Sequence, residues 1–336
     1  MISAEQDSHT TTEHPAELGT LSYLPVSLFG SVMGLTGLSI AWQRVHEQYG
    51  FPPIIGFLFA AIAVAAFVAL LFAYAIKWVT APAAVLTEFK HPISGSLFGT
   101  IFISLLLIPI VLAPTSLAVA RVMWTLGAIG MVVFAWFTIS RWLSDRQQFL
   151  HATPAWIIPV VGLLDVPLAI PTLGLSVLHP LMVFALAVGL FFTIPLFTLI
   201  FQRLLFEAPM PDALRPSLLI LIAPFSVGFS TYVATTGGVD LFAQVLYFLA
   251  LFFASVLLGL VGNLIRCCPF RVSWWAVSFP LAATSIACLR YSATSSGWLW
   301  ESIAWVVLGF TTLVIVGLLI RTALGVVNGE LRELSR

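Results

Sequence analysis

Charge is what this chain has least of. Lys, Arg, Asp and Glu together make up 8% of its 336 residues while 60% are hydrophobic, which leaves too little polar surface to coat a water-soluble particle. Fourteen basic residues balance fourteen acidic ones, and the basic ones are scattered singly over several loops, so no nucleic-acid surface is expected. Cysteine is scarce as well. Cys267, Cys268 and Cys288 have neither C-x-x-C spacing nor a neighbouring His, which leaves no metal or redox motif. No H-E-x-x-H, G-x-S-x-G or P-loop pattern occurs, and the six His residues fall in the tail, in loops or at span ends. Neither an enzyme nor a cofactor is therefore expected. Residues 1–20 hold no Lys or Arg and so lack the basic start of a cleaved signal peptide.

What is there is length without interruption. Ten apolar stretches, at about 23–43, 54–76, 96–113, 117–139, 155–173, 180–202, 216–235, 241–265, 272–291 and 299–325, each approach the roughly 20 residues that a helix needs to cross a bilayer. Barrel strands would read as short alternating segments, so an all-α integral membrane protein with ten transmembrane helices is expected. The organisation expected is a polar cytoplasmic tail over 1–20, a transmembrane domain over 21–327 and a cytoplasmic tail over 328–336. With ten spans and a cytoplasmic N-terminus, eleven basic residues fall on the inner side, and only Arg44, Arg121 and Arg290 on the outer. That positive-inside bias places both termini in the cytoplasm. Trp42, Trp78, Trp142, Trp156, Trp274, Trp275, Trp298 and Trp300 lie near span ends, as interfacial indoles do.

Odd and even spans differ. The odd ones carry proline and small residues inside: Pro25 with Gly30, Gly34 and Gly37; Pro109; Pro159, Gly162 and Pro167; Pro224 and Gly228; Pro280. A proline leaves a carbonyl without its helical donor, which a water-filled path satisfies and lipid does not. The odd helices are therefore expected to face an interior. Ser27, Gly30, Gly34 and Gly37 fall on one narrow stripe, consistent either with a lumen or with close helix packing of the small-xxx-small kind. A faint echo links Pro25-Val-Ser-Leu-Phe-Gly-Ser to Pro224-Phe-Ser-Val-Gly-Phe-Ser, which adds Ser226 to the candidate lining.

The run Ser273-Trp274-Trp275-Ala276-Val277-Ser278-Phe279-Pro280-Leu281 resembles the S-W-W-x-x-[ST]-F-P pattern of the TehA-like tellurite-resistance and dicarboxylate transporter family, which includes the slow anion channels of plant guard cells. Thr153-Pro154-Ala155-Trp156 with Ile158-Pro159-Val160-Val161-Gly162 is similar to the start of that family's fifth helix. The resemblance implies a homotrimer in a bacterial inner membrane, the ten helices of each protomer arranged as five hairpins around its own central pore, which the five odd helices line. It also implies that Phe279, just before Pro280, projects into the pore as a plug.

No Lys or Arg is expected deep inside a span, and Arg290 and Glu301 are read as solvated outer ends. An anion would then meet only backbone dipoles, hydroxyls and apolar walls, a weak field that favours easily dehydrated monovalent anions such as nitrate over chloride. Asp165 is the main intramembrane acid, expected either in a wet outer vestibule, at a proton-linked site, or hydrogen-bonded to neighbouring helices. Two functions follow: an anion channel gated by Phe279, or a carrier that exports tellurite or moves dicarboxylates with Asp165 coupling protons.

Overall fold

The computed structural model describes residues 21–295 and 297–335, and of 260–267 the backbone alone. The expected tail over 1–20 and the final Arg336 lie outside the described residues. Among the described residues all regular structure is helical. Nine helices among the described residues are long and apolar enough to cross a membrane: Val26–Tyr49, Ile54–Thr80, Ser94–Leu112, Leu117–Ser144, Ser176–Phe206, Arg215–Thr236, Leu241–Gly259, Val272–Thr294 and Trp298–Val327. We number them one to four and six to ten, because a shorter apolar segment, Pro154–Ala169, stands between the fourth and sixth.

That fifth segment corrects the expectation of ten continuous helices. It is a 3-10 turn over Pro154–Ile157, one α turn over Ile158–Val161 and a second 3-10 stretch over Gly162–Ala169. Pro154, Pro159 and Pro167 each remove a main-chain donor, so no regular α ladder can run through it. The 3-10 form rises about 2.0 Å per residue against 1.5 Å for an α-helix, and the segment thereby extends about 30 Å, the thickness of a hydrocarbon core.

Two concentric layers follow from composition. In the first, third, seventh and ninth spans 83, 61, 67 and 78% of the apolar window is buried, whereas the second, fourth, sixth, eighth and tenth reach only 28–39%. The fifth segment is buried almost throughout. The proline- and glycine-bearing members thus form the centre, and the Leu-, Val- and Phe-faced members the periphery. The first, third, fifth, seventh and ninth segments pack in that order and the ninth closes back on the first, a ring of five. Each peripheral span packs on the central segment before it, in a hairpin, and also touches the next central segment.

All five central segments enter through a 3-10 turn: Val26–Leu28, Ser94–Phe98, Pro154–Ile157, Arg215–Ile222 and Val272–Val277. This corrects a second expectation. The carbonyls that Pro25, Pro159 and Pro224 cannot serve are not left to water, because the residue before each proline donates to them: Leu24 to Leu21, Ile158 to Ala155 and Ala223 to Ile220. Farther along the fifth segment neighbours supply donors. Thr231 Oγ1 donates to the Leu164 carbonyl, Trp124 Nε1 to Val166 at 3.0 Å, and Arg121 Nε and Nη2 to Leu173 at 3.0 and 2.8 Å.

Both described chain ends lie on one face, which we call the terminal face, since Leu24 and Val26 share a core cluster with Val272 and Leu334. The expected tail over 328–336 is not apart from the bundle. A short helix, Leu331–Leu334, folds back, Arg321 pairs with Glu330 at 2.9 Å, and Leu334 covers Gly325. Two tryptophans expected at interfaces are buried instead, Trp156 donating to the Pro92 carbonyl at 3.1 Å and Trp275 to Thr322 Oγ1 at 2.9 Å.

A helix over Pro82–Lys90, between the second and third spans, carries the acid that starts the ring. Glu88 Oε1 accepts the Val26 N–H at 2.7 Å, and its Oε2 accepts Lys77 Nζ at 2.6 Å and Tyr74 OH at 3.0 Å. Lys77 also donates to the Leu24 carbonyl at 2.6 Å. A carboxylate at the positive start of the first span is favourable, and here it compensates a buried ammonium. Glu88→Gln leaves Lys77 uncompensated and is expected to cost about 3–5 kcal/mol, read as a lowered melting temperature of the purified protein in detergent.

Candidate functional site

Along the axis of the ring lie two cavities, one opening toward each face. The terminal-side cavity, about 280 Å³, is lined from all five central segments, among them Gly30, Thr100, Gly162, Ser217 and Phe279. The far-side cavity, about 290 Å³, is lined by Gly37, Arg44, Leu107, Leu168, Ser230, Phe279 and Arg290 among others. Among the described residues, only Phe279 and Val227 line both. A benzyl ring and an isopropyl group therefore stand between the two spaces.

The position of Phe279 is set by its helix and by what faces it. The 3-10 turn Val272–Val277 becomes an α-helix at Ser278, whose Oγ donates to Trp275 O at 2.7 Å and to Gly30 O at 3.3 Å. This clips the ninth segment to the first next to the ring. A Cβ on Gly37 would lie 2.8 Å from Ala282 Cβ, so the absence of a side chain there is what lets the first and ninth segments approach, while at 3.7 Å from Phe279 Cδ2 it would make only ordinary contact with the ring. Phe279 is 8% exposed.

The expected small-residue stripe divides. Ser27 and Gly30 face the terminal-side cavity, and Gly37 the far-side one. Gly34 faces neither. A Cβ there would overlap Ser278 Oγ, so this glycine serves close helix packing, the other of the two readings. Gly162 lines the terminal-side cavity, where an added Cβ would come within 2.8 Å of Met131 Cε. Ser226 lines neither space: it is fully buried and bonds back to Ile222 O at 3.3 Å, while its neighbour Val227 faces the axis. Of the prolines, Pro25 and Pro280 reach the terminal-side wall, whereas Pro109, Pro159 and Pro224 are buried away from both cavities.

Asp165 lies on the terminal-side cavity, not the far-side one. It is 2% exposed and its Oδ1 has no hydrogen-bond partner among the described residues.

The charge inventory needs a larger correction. Arg290, expected as a solvated span end, and Arg44, expected only as a basic residue of the outer side, both line the far-side cavity. Arg290 Nη1 donates to Ser230 O at 3.3 Å, and Nε of each arginine is buried without a partner. Sequence reading missed both, although a signal was present. Gly30, Met33, Gly37, Ile40 and Arg44 recur at helical spacing on one face, as do Phe279, Ala283, Ile286 and Arg290, and all nine line a cavity. Among the described residues no cluster of three His, Cys, Asp or Glu side chains could hold a metal.

The pattern of the SLAC1 family, voltage-dependent anion channel, matches residues 23–323. The chain belongs to that family. Relatives of this voltage-dependent anion channel family include the S-type anion channel SLAH3 of Arabidopsis thaliana, 28% identical over 89% of this chain and 48% of the relative. An uncharacterized transporter of Methanocaldococcus jannaschii is 26% identical over 76% of this chain and 81% of its own length. The tellurite resistance protein TehA homolog of Haemophilus influenzae is 26% identical over 77% and 79%. The chain spans about half the length of the plant channel SLAH3. The resemblance read from the ninth and fifth segments therefore holds at the level of the family, and the chain is a multi-pass membrane protein of an anion channel and transporter family.

Two glycines of the first span separate packing from lining. Gly34→Ala drives a methyl into Ser278 and is expected to destabilise by about 1–3 kcal/mol. Gly30→Ala meets only ordinary contacts from Trp275 at 3.7 Å and is expected to be neutral or to stabilise by up to about 1 kcal/mol. Thermal melting of the two variants side by side checks the contrast.

Proposed function

We propose that the ring of central segments is an anion-selective conduit through a single chain and that Phe279 is its gate. The observation that carries this reading is that Phe279, with Val227, is what lies between two cavities opening to opposite faces. Pro25, Ser27, Gly30, Gly37 and Gly162 then act by leaving room, and Pro280 by fixing the turn that presents the ring. Inorganic monovalent anions, nitrate and chloride, are the proposed permeants. In this reading the terminal face is the cytoplasmic one of a bacterial inner membrane, as a positive-inside bias supports, and the assembly is a homotrimer with one pore per chain.

At the ring itself the walls are apolar, and the charged groups stand apart from it, so dehydration governs passage there. Nitrate and iodide are expected to permeate better than chloride. Reversal potentials in reconstituted bilayers check the order, and chloride passing best overturns it. Phe279→Ala is expected to raise anion conductance at least about tenfold by opening the constriction. A variant as silent as the wild-type chain in planar bilayers overturns the gate.

A carrier reading is favoured by one observation, the buried Asp165 with an unpartnered carboxyl oxygen on the terminal-side wall. It requires that Phe279→Ala stay silent while Asp165→Asn abolishes proton-coupled anion uptake into proteoliposomes. Unitary currents in Phe279→Ala exclude it.

A further inference from the structure

The far-side cavity holds two cations and no countercharge within reach of an ion pair. Arg44 and Arg290 both line it, and neither forms a salt bridge among the described residues. The exposed Glu47 acts on both arginines without forming an ion pair with either, and Arg44 and Arg290 act on each other. Three polar atoms on this one wall are buried without partners: Arg44 Nε, Arg290 Nε and Ser230 Oγ. Thr172 adds a further hydroxyl-bearing side chain to the lining. Buried charges are costly unless they are compensated, and a guanidinium with open N–H groups is shaped to receive an oxyanion in two bonds.

We propose that Arg44, Arg290 and Ser230 form a binding site for a small oxyanion, and that a doubly charged oxyanion is held there more tightly than a singly charged one. Two guanidiniums present two positive charges, which a dianion neutralises and a monoanion half neutralises. A space of about 290 Å³ is also large enough for the ion to keep part of its water, since a water molecule occupies about 30 Å³. Beyond it the axis narrows to Phe279 and Val227, where no charge stands on the wall. The cost of dehydrating an ion rises with the square of its charge, so a dianion that rests at the arginines is retained there while a monoanion goes on. The site thereby becomes an inhibitory one, facing the side away from the chain termini. This extends the conduction reading and borrows its axis, but the binding step stands without it.

The probe is inorganic sulfate, with nitrate as the monovalent competitor, on full-length protein in nanodiscs at constant ionic strength. Equilibrium dialysis with labelled sulfate is expected to show saturable binding that nitrate displaces only at about tenfold or higher concentration. Arg44→Gln and Arg290→Gln are each expected to weaken sulfate at least about tenfold, the effect of losing hydrogen bonds to a charged group. Should either variant fail to fold, phenylglyoxal labelling of the wild-type protein replaces it. Sulfate is then expected to protect Arg44 and Arg290, read by peptide mass spectrometry. Absent sulfate binding, unchanged affinity in both folded variants, equal displacement by nitrate, or absent protection each overturns the proposal. Sulfate binding in a protein whose Phe279→Ala variant carries no current sinks the conduit and spares the site; current without sulfate binding does the reverse.

Discussion

Inside a bilayer every main-chain carbonyl must find a donor within the protein, and the central ring exists under that constraint. Five segments carry prolines or 3-10 turns that interrupt the helical ladder, and none of them would be viable facing lipid. They are viable here because each is enclosed by two central neighbours, one of which brings Thr231 to an open carbonyl, and sheathed by peripheral helices, one of which brings Trp124 and Arg121 to others. The periphery is therefore more than a lipid-facing coat. The fourth span holds the far half of the fifth segment and the turn after it by two side chains, Trp124 and Arg121, and the second span, through Lys77, fixes where the first begins.

The same constraint explains why the axis is open enough to hold two cavities. An inner helix that must approach its neighbours closely has small residues on its packing face, as Gly34 has against Ser278 and Gly37 against Ala282. Once two backbones are that near, one large side chain is enough to fill the space between five of them. Phe279 occupies that place because the residue before it is clipped to the first span and the residue after it is a proline.

Much of this was legible in the sequence, and the misses have physical causes. The alternation of central and peripheral members could be read from proline and glycine, because those residues are poor at facing lipid and good at close approach. The broken fifth segment was not read, since its sixteen or so apolar residues suffice for a helix and only its rise per residue betrays the 3-10 form. Ser226 was expected on the axis and Val227 stands there. The 3-10 stretch Arg215–Ile222 turns by 3.0 residues rather than 3.6, so helical phase carried across it arrives rotated. Arg290 was taken as solvated, and Arg44 only counted on the outer side, from their positions at span ends. Burial at that level depends on neighbouring segments, which a hydropathy count does not contain.

Those two arginines change the electrostatic character of the site. A conduit with no fixed charge would leave an anion at the same low occupancy along its whole length, and selectivity would rest on dehydration alone. With Arg44 and Arg290 on one side of Phe279 and Asp165 on the other, the axis is asymmetric. In the proposed conduit, positive charge gathers anions in the far-side cavity, the neutral ring sets what they must shed to proceed, and the acid lies beyond it. Attraction and sieving are thus divided between two places, which lets the ring stay uncharged and discriminate by hydration while the approach to it remains favourable. An arginine at the constriction itself would have merged the two roles, and an anion bound tightly there would not leave.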